Sequence, residues 1–485
     1  MNIKILKSKG VKDLGYTLMA NFLMLLSGIA STFIIAKIWT TDVTKWYAYS
    51  KVFTLYLGYV GFFHFGFNDG IMVNYGNYDY ETLPRKKFRS YFRFLLCFQV
   101  GIALMLSLIS FVITKDYIRL MIDLFICVNI VIMNLTCYFE FISQIVRRFK
   151  LYSYNTMLNK GFYIVSILAL YLMRNKLTDL RKLALFMGLQ TFIGIIVLVI
   201  YIIRFKEITF GKGETRGELI KDIKSNMQLG FFIMLGNFVS IIIIGVDRIL
   251  IDNLQRAGIM FTQADMSMYS FAVSLLNMVY ILLNGIKSLA YPYLARIKKE
   301  NLAESYCILK DIIFVVFGYC LCAYFVFYLI ILRWFPVFKD ALSVTAIIFP
   351  TILISATINI VTCNYYKILK LKKEYTKNSI IGVVVSLITI AIAATVFKTK
   401  EAIAVSSLAA FYIWGIYGDE YFGKKLSIST RKHYIAQILA IVLFLFTTTM
   451  NKWYVGIVVY IIGFTLISYV FFGKSLKNLI KKFTK

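Results

Sequence analysis

Apolar stretches of about 20 residues alternate along the chain with short clusters of charged residues. A helix needs about 20 apolar residues to cross the hydrocarbon core of a bilayer, whereas barrel strands would show alternating patterns of about ten residues. The pattern therefore predicts an all-α, polytopic membrane protein with about fourteen transmembrane helices. The predicted spans are 14–38, 47–70, 90–114, 118–144, 152–173, 183–203, 228–251, 266–292, 308–332, 341–365, 376–397, 402–421, 434–450 and 454–472.

Composition agrees with lipid as the solvent for most of the chain. The hydrophobic fraction is 60% and the charged fraction is 16%, against about 45–50% and about 25% in soluble domains. The first apolar stretch, 14–38, is longer than the roughly 7–15 apolar residues of a cleavable signal, so we expect it to remain as the first helix. Pro350 lies in the middle of the tenth span, where its missing backbone donor predicts a kink.

Lysine and arginine are distributed unevenly between the two sides of the predicted membrane. With both termini in the cytoplasm, about 35 basic residues fall on the inner side, about 14 on the outer side and about 5 inside the spans. Basic residues are retained on the cytoplasmic side during insertion, which supports this orientation; the outer loop 174–182 fits it least well. The net charge of +30 is dispersed over short loops. That argues against nucleic-acid binding and suits the anionic headgroups of the lipid bilayer.

The two halves of the chain are predicted to be related by a repeat. Asn21-Phe22 in the first span matches Asn237-Phe238 in the seventh, and the longest inner linker follows six spans. A second set of six would enter in the same orientation, as two six-helix lobes in parallel pseudo-twofold repeat with the substrate path between them. Chance similarity among apolar helices is the alternative. The predicted organisation is an N-lobe with helices 1–6 at 1–205, a cytoplasmic linker at 206–227, a C-lobe with helices 7–12 at 228–421, and two extra C-terminal helices, 13–14, at 434–472.

The start of the predicted second lobe carries a distinctive motif. It reads GVDRILIDNL at 245–254 and MSMYSFAVSLLNMVYILLNGIKSLAYPYLAR at 266–296. This resembles the polysaccharide-repeat-unit (lipid-linked oligosaccharide) flippases, Wzx-like, of the multidrug/oligosaccharidyl-lipid/polysaccharide (MOP) exporter superfamily. In that family an Asp-Arg helix end precedes a tyrosine-led helix that closes with a proline-containing run. The residues in those places here are Asp247, Arg248, Tyr269 and Pro292.

The resemblance implies a flippase that carries an oligosaccharide repeat unit on polyprenyl (undecaprenyl) pyrophosphate from the cytoplasmic to the outer leaflet by alternating access. The implied process is surface polysaccharide biosynthesis (O-antigen, capsule or similar) at a bacterial cytoplasmic (inner) membrane. Coupling to a Na⁺ or H⁺ gradient, no bound cofactor, and polysaccharide assembly proteins as partners are also implied. The sequence departs from the family at Lys51 and at Phe67–Asp69, where the family is usually less polar.

Five of the basic residues in the spans are singled out, because an ionised group at mid-membrane costs at least about 2.5–3.5 kcal/mol. They are Lys51, Arg93, Lys160, Arg248 and Lys287. Arg93 lies near an inner end and is expected to snorkel to water, whereas Lys160 lies closest to mid-span. The pyrophosphate that the resemblance implies would need fixed positive charge in a low-dielectric interior. Arginine meets phosphate bidentately and lysine meets it as a point charge. The candidate substrate-binding residues are therefore Arg248, Lys160, Lys51 and Lys287.

Some of the acidic residues within the spans are candidates for coupling to a cation gradient. The candidates are Asp69, Glu140 and Asp247. Asp69 and Glu140 lie near inner ends, where simple neutralisation of nearby arginines is the alternative. Asp247 directly precedes Arg248, and adjacent helical residues do not face each other. We therefore expect Asp247 to pair elsewhere or to face the outer water.

Two other classes of function remain open beside the flippase. A cation-coupled multidrug exporter of the same superfamily typically has an acid within the first helix, and here only Asp13 precedes that span. A membrane polysaccharide polymerase would need a sizeable outer loop or a nucleotide-sugar domain. Gly211–Gly217 does not have the spacing of a phosphate-binding loop, and no nucleophile–base pair stands out, so we expect a transporter and not an enzyme. With two histidines and with seven cysteines in or beside apolar runs, no metal site is expected.

Overall fold

The computed structural model describes residues 19–20, 22–76, 78–294, 299–369 and 371–483, without the side chains of residues 216, 237, 282, 284–293, 299 and 474–483. Every regular element in those ranges is a helix. The first helices are α1 (Phe22–Ile34), α2 (Val43–Leu57), α3 (Phe67–Tyr75), α4 (Arg85–Ile113), α5 (Tyr117–Ile145), α6 (Phe149–Leu172), α7 (Asp179–Arg204), α8 (Lys206–Thr209) and α9 (Arg216–Arg256). The others are α10 (Gln263–Leu294), α11 (Leu302–Cys320), α12 (Ala323–Trp334), α13 (Ala341–Ile348), α14 (Thr351–Ala356), α15 (Cys363–Ile368), α16 (Lys372–Ile392), α17 (Lys400–Leu426), α18 (Arg431–Thr448) and α19 (Trp453–Phe483).

Each predicted span overlaps at least one helix in the described part of the chain. Eight of these helices, with joined helices counted as one, are long and apolar enough to cross a membrane. The helix α9 makes a ninth if its two parts, which meet at 63°, form one span. The remaining predicted spans lie on α1, α2 with α3, α6, α10 and α18. The prediction of an all-α, polytopic membrane protein is confirmed.

The chain divides by its internal contacts into two compact units, Met1–Asn237 and Phe238–Lys485. The boundary lies within α9, at the bend between its two parts. It therefore falls later in the chain than the predicted linker 206–227. The lobes at 1–205 and 228–421 remain a division predicted from the sequence.

The predicted linker lies against α4, whose arginines bind its main chain. Arg89 Nε donates to the carbonyl oxygen of Glu207 at 2.8 Å. The exposed guanidinium of Arg93, one turn later, donates to the carbonyl oxygen of Gly211. Arg93 therefore reaches out from the helix, as snorkelling predicts, but it binds the linker main chain there.

The second predicted span, 47–70, is not one continuous helix. A 3₁₀ turn, Val60–His64, separates α2 from α3. Phe65 (φ 48°) and Gly66 (φ 77°) then adopt left-handed backbone conformations. Such a break frees main-chain groups that need partners inside a membrane.

Buried amides on α4 and α5 supply those partners. Gln99 Nε2 donates to the carbonyl oxygen of Phe63 at 2.9 Å, and Asn134 Nδ2 donates to that of Val60 at 3.1 Å. Asn134 Nδ2 also donates to Gln99 Oε1 at 2.8 Å, which links the two amides. Both side chains are fully buried. The break in the second span is thus stabilised by specific hydrogen bonds within the first unit.

The broken span also packs closely against the first part of α9. A Cβ atom added to Gly70 would lie 2.0 Å from the Asn226 carbonyl oxygen, and one added to Gly230 would lie 1.9 Å from the Gly66 carbonyl oxygen. Main chain meets main chain here, and only glycine permits so close an approach. These glycines therefore fix the first part of α9 within the first unit.

The tenth predicted span forms the centre of the second unit. The helix is interrupted between α13 and α14, at Pro350, as predicted. A π-turn, Thr357–Thr362, follows within the same span. Of the most apolar stretch in Ala341–Ile368, 94% is buried, against 11% in Arg85–Ile113. The first of these segments is surrounded by protein, whereas the second presents its apolar side chains outward, as a lipid-facing helix does.

Candidate functional site

Lys51 is a buried cation of the first unit. It lies on α2 with 4% of its surface exposed. Its Nζ donates to the carbonyl oxygen of Ser31 at 2.7 Å and lies 5.0 Å from the ring centroid of Tyr47. Ser31 belongs to a π-turn at the end of α1. A neutral carbonyl and an aromatic face stabilise a lysine without neutralising its charge.

Lys160 and Glu140 lie together in the first unit. Lys160 is on α6 and Glu140 is on α5, both side chains are half-buried, and their charges interact. The candidate substrate-binding lysine and a candidate coupling acid are therefore near enough for their charges to interact. This partner of Glu140 was not anticipated, because sequence reasoning considered only nearby arginines.

Asp69 lies in the first turn of α3, directly after the break in the second span. It is buried, and its Oδ2 lies 3.7 Å from Nε2 of His64, which is also buried. His64 Nδ1 accepts a hydrogen bond from the Gly66 amide at 3.1 Å. Asp69 thus belongs to the polar structure of the break itself.

Asp247 is a buried carboxylate of the second unit, 2% exposed. The hydroxyls of Tyr269 on α10 and Ser407 on α17 donate to its Oδ2. Its Oδ1 is buried and has no hydrogen-bond partner within the part of the chain that the structure describes. The expectation that Asp247 faces the outer water is wrong, and the expectation that it pairs elsewhere is confirmed. Hydroxyl donors satisfy such a carboxylate without cancelling its charge.

Arg248 follows on α9 and is half-buried, and its charge interacts with that of Asp247. Lys287 lies on α10, but its side chain is outside the described part of the chain. The structure therefore brings Lys160 to Glu140 in the first unit and Arg248 to Asp247 in the second, while Lys51 and Asp69 have the separate surroundings given above.

Solved structures with similar architecture are transporters. The match with the lipid II flippase MurJ in an inward closed conformation covers 96% of this chain and 100% of that chain, at 10% identity and a TM-score of 0.65. A MATE structure in complex with MaL6 matches over 86% and 96%, at 12% identity and 0.58. The eukaryotic MATE transporter AtDTX14 matches over 90% and 99%, at 11% identity and 0.55. No protein-family model and no curated protein sequence matches the chain.

The chain shares its overall fold with these solved transporters. The Wzx-like assignment still depends on the sequence motif at 245–254 and 266–296, because identities of 10–12% extend to the fold alone.

A charge cluster of the second unit was missed by the sequence reasoning. Lys310 on α11 and Asp419 on α17 form a buried ion pair, and the Tyr306 hydroxyl donates to Asp419 Oδ1 at 2.6 Å. Lys310 is 1% exposed. The predicted spans 308–332 and 402–421 put Lys310 and Asp419 close to helix ends, where neither was considered as a site residue. The available signal was the spacing of Tyr306 and Lys310, which puts both on one helix face.

A second missed ion pair accounts for the least favourable outer loop, 174–182. Lys182 and Asp179 are buried, and their charged atoms lie 2.6 Å apart. Lys182 Nζ also donates to the carbonyl oxygen of Ile38 at 3.2 Å and to Thr40 Oγ1 at 2.9 Å. One of the basic residues of that loop is therefore neutralised inside the protein, which lessens its conflict with the predicted orientation.

Proposed function

We propose that this protein is a flippase that moves an oligosaccharide on polyprenyl pyrophosphate from the cytoplasmic to the outer leaflet. The observation that carries the proposal is the match with the lipid II flippase, which spans 96% of this chain and all of that chain at a TM-score of 0.65. The two MATE structures cover 86% and 90% of this chain, at 0.58 and 0.55. The structure of a flippase for a lipid therefore matches a larger part of this chain than either MATE structure does.

The cations inside the spans support an anionic cargo. Lys51 is a buried cation whose Nζ contacts a carbonyl oxygen and an aromatic ring. Lys160 and Arg248 are half-buried beside Glu140 and Asp247. A pyrophosphate that reaches either cation would compete with a carboxylate for it, and the low local dielectric strengthens that competition. We assign substrate binding to these three residues and, from its sequence position, to Lys287.

The acids supply the other half of the proposed cycle. If Glu140 or Asp247 binds Na⁺ or H⁺, the neighbouring Lys160 or Arg248 loses its competing anion and binds phosphate more tightly. The buried Oδ1 of Asp247, with no partner in the described ranges, offers an acceptor for such a cation. Asp69 is the third candidate, through its position at the break in the second span. A downhill cation gradient could in this way drive a net movement of substrate.

The proposed setting is the bacterial cytoplasmic (inner) membrane during surface polysaccharide synthesis, such as that of O-antigen or capsule. Polysaccharide assembly proteins are the proposed partners. The charge bias of the loops supports termini in the cytoplasm, the compartment in which such lipid-linked units are made.

Deletion of the protein in its host tests the function. We expect a surface polysaccharide to disappear while its lipid-linked repeat unit accumulates on the inner leaflet, and we expect the intact chain to restore it. Unchanged polysaccharide together with increased drug sensitivity would contradict the flippase and favour the multidrug exporter.

Arg248 provides a residue-level test in the same host. Arg248→Ala should abolish complementation, and Arg248→Lys should restore part of it, because lysine keeps the charge but loses the bidentate geometry. Arg333→Ala removes an exposed arginine at the end of α12 and is the matched control. Full complementation by both Arg248 variants would remove Arg248 from the proposed site.

A further inference from the structure

The chain has only two histidines, and each is buried beside an aspartate. His64 lies 3.7 Å from Asp69, and His433 Nε2 lies 3.1 Å from Asp311 Oδ1. The second distance is that of a hydrogen bond. His433 is 6% exposed and Asp311 is also 6% exposed. Neither His433 nor Asp311 has a part in the proposed handling of substrate.

His433 lies where three helices of the second unit meet. It is in the first turn of α18, and Asp311 is on α11. The imidazole stacks on Phe472 of α19, with ring centroids 4.9 Å apart and planes at 26°. The state of this ring therefore bears on how the last two helices, α18 and α19, pack on α11.

The described charged and titratable groups around His433 lie on three helices. They are Cys307, Lys310 and Asp311 on α11, Asp419 and Glu420 on α17, and Lys432 and Tyr434 on α18. Glu420 and Lys432 are exposed and of opposite sign. The side chains of α19 beyond Gly473 are outside the described residues. Among these described groups, the buried charges are one cation, Lys310, and two carboxylates, Asp311 and Asp419.

This count leaves one buried negative charge in excess when the imidazole is neutral. Burial by itself favours the neutral imidazole, but it also penalises the unbalanced carboxylate. Lys310 is already paired with Asp419, so Asp311 depends on His433 for its counter-charge. One proton on the His433–Asp311 pair makes the cluster neutral, and breaking a buried pair is far more costly than keeping it.

We propose that His433 and Asp311 form a proton-binding site that fastens α18 and α19 to α11. With the proton bound, an imidazolium bridges Asp311 and the face of Phe472. Without it, the excess negative charge weakens the contact between these helices. The role of the site in transport rests on the proposed function, for which it names the proton as a coupling cation.

The two histidines allow a direct test by NMR. The full chain is labelled with ¹⁵N and ¹³C histidine, purified with a tag that contains no histidine, and titrated in lipid nanodiscs from pH 5 to pH 9. His64→Gln and His433→Gln assign the two ring signals. We expect His433 to show imidazolium shifts at the acidic end and neutral shifts at the basic end, with ring-current displacement from Phe472.

Asp311→Asn shows whether the aspartate is part of the site. In this variant, the pH at which His433 is half protonated should fall by at least about one unit, because the carboxylate partner is gone. This shift is a tenfold loss of proton affinity. Asp265→Asn, which changes an aspartate at the start of α10, should leave the midpoint unchanged. A neutral His433 throughout this range in the wild type, or the same midpoint in Asp311→Asn, would overturn the proposal.

Thermal unfolding separates a proton site from a merely structural contact. The wild type should lose stability from pH 6 to pH 9. In Asp311→Asn, Lys310 and Asp419 balance each other, so stability should vary less over this range. His433→Gln cannot take up the proton, so it should be less stable than the wild type at pH 6, and this difference should shrink at pH 9. A merely structural hydrogen bond would instead make both variants less stable by an amount independent of pH, and this result would refute the fastening role.

The outcome for this site is distinguishable from that for transport. If His433 titrates as described but deletion leaves surface polysaccharide intact, the proton site is supported and the flippase proposal fails. If the deletion test succeeds and His433 does not respond to Asp311, the flippase proposal is supported and the proton site fails.

Discussion

The two units differ in how several of their buried polar groups are satisfied. In the first unit, side-chain donors bind main-chain carbonyls, as Lys51 does at Ser31, Gln99 at Phe63 and Lys182 at Ile38, although Lys182 also pairs with Asp179. In the second unit, buried carboxylates accept from other side chains. These carboxylates are Asp247, Asp311 and Asp419.

The difference follows from the backbone. The first unit contains a span broken at Val60–Gly66, and broken helices expose carbonyl oxygens that attract donors. A donor that is held by a carbonyl oxygen suits an anionic ligand. A buried carboxylate that accepts from hydroxyls suits a proton or a metal cation. In the proposed flippase both kinds of group occur in each unit, as Lys160 with Glu140 in the first and Arg248 with Asp247 in the second.

The largest effect is expected from breaking the Lys310–Asp419 pair. Lys310→Ala leaves a carboxylate buried without its cation and should destabilise the protein by about 3–5 kcal/mol. The double variant Lys310→Met with Asp419→Leu removes both charges and should recover much of that loss. Unfolding in micelles measures both. A double variant as unstable as the single one would show that the charges themselves do not matter there.

A smaller effect is expected from a neutral network of the first unit. Gln99→Leu removes the donor to the Phe63 carbonyl and the acceptor for one N–H of the Asn134 side chain. The free energy of unfolding should fall by about 1–3 kcal/mol. The same unfolding assay applies. Ser107→Ala, on the same helix, removes a hydroxyl that donates only to the Ala103 carbonyl of its own helix, and it should change stability by less than about 0.5 kcal/mol. A loss from Gln99→Leu as large as that from Lys310→Ala would break the contrast between the units.

The Lys160–Glu140 pair should affect anion binding in opposite directions. Lys160→Met should weaken the binding of inorganic pyrophosphate about tenfold, or 1.4 kcal/mol, while Glu140→Gln should strengthen it because the competing anion is removed. Calorimetry on the purified protein measures both affinities. Equal affinities in the wild type and both variants would place the phosphate elsewhere.

The smallest effect is expected at the start of α10, outside the predicted span. Burial raises the pKa of Asp265, but hydrogen bonds from Thr262 and Lys400 outweigh it and hold this pKa below its ordinary value of 3.8. A lowered pKa stabilises the fold above the unfolded-state value, and the stabilisation is lost as the pH falls through the folded-state value. The difference in stability between wild type and Asp265→Asn should be about 0.5–1 kcal/mol at pH 7 and should shrink below about pH 4. A constant difference would contradict this.

Particular residues show how far the sequence allowed prediction. The lengths of the apolar stretches located the helices, because they depend on the thickness of a bilayer. Pro350 located an interruption, because the missing backbone donor of proline acts locally. The charged residues of the spans could be named as candidates, because burying a charge is costly wherever the helix lies. Their partners could not be named. Glu140 and Lys160 are 20 positions apart on different helices, and Asp419 and Lys310 are 109 apart.

The sequence by itself determined that this protein is a bundle of helices made for lipid, with a strong bias of positive charge toward one side. Only the tertiary structure decided that the second span breaks, that the inner linker lies along α4, and that buried aspartates meet a lysine and a histidine. Hydrophobic periodicity acts within one helix, so the sequence displays it directly. Electrostatic and hydrogen-bond pairing acts between helices, and it exists only once the fold has brought those helices together.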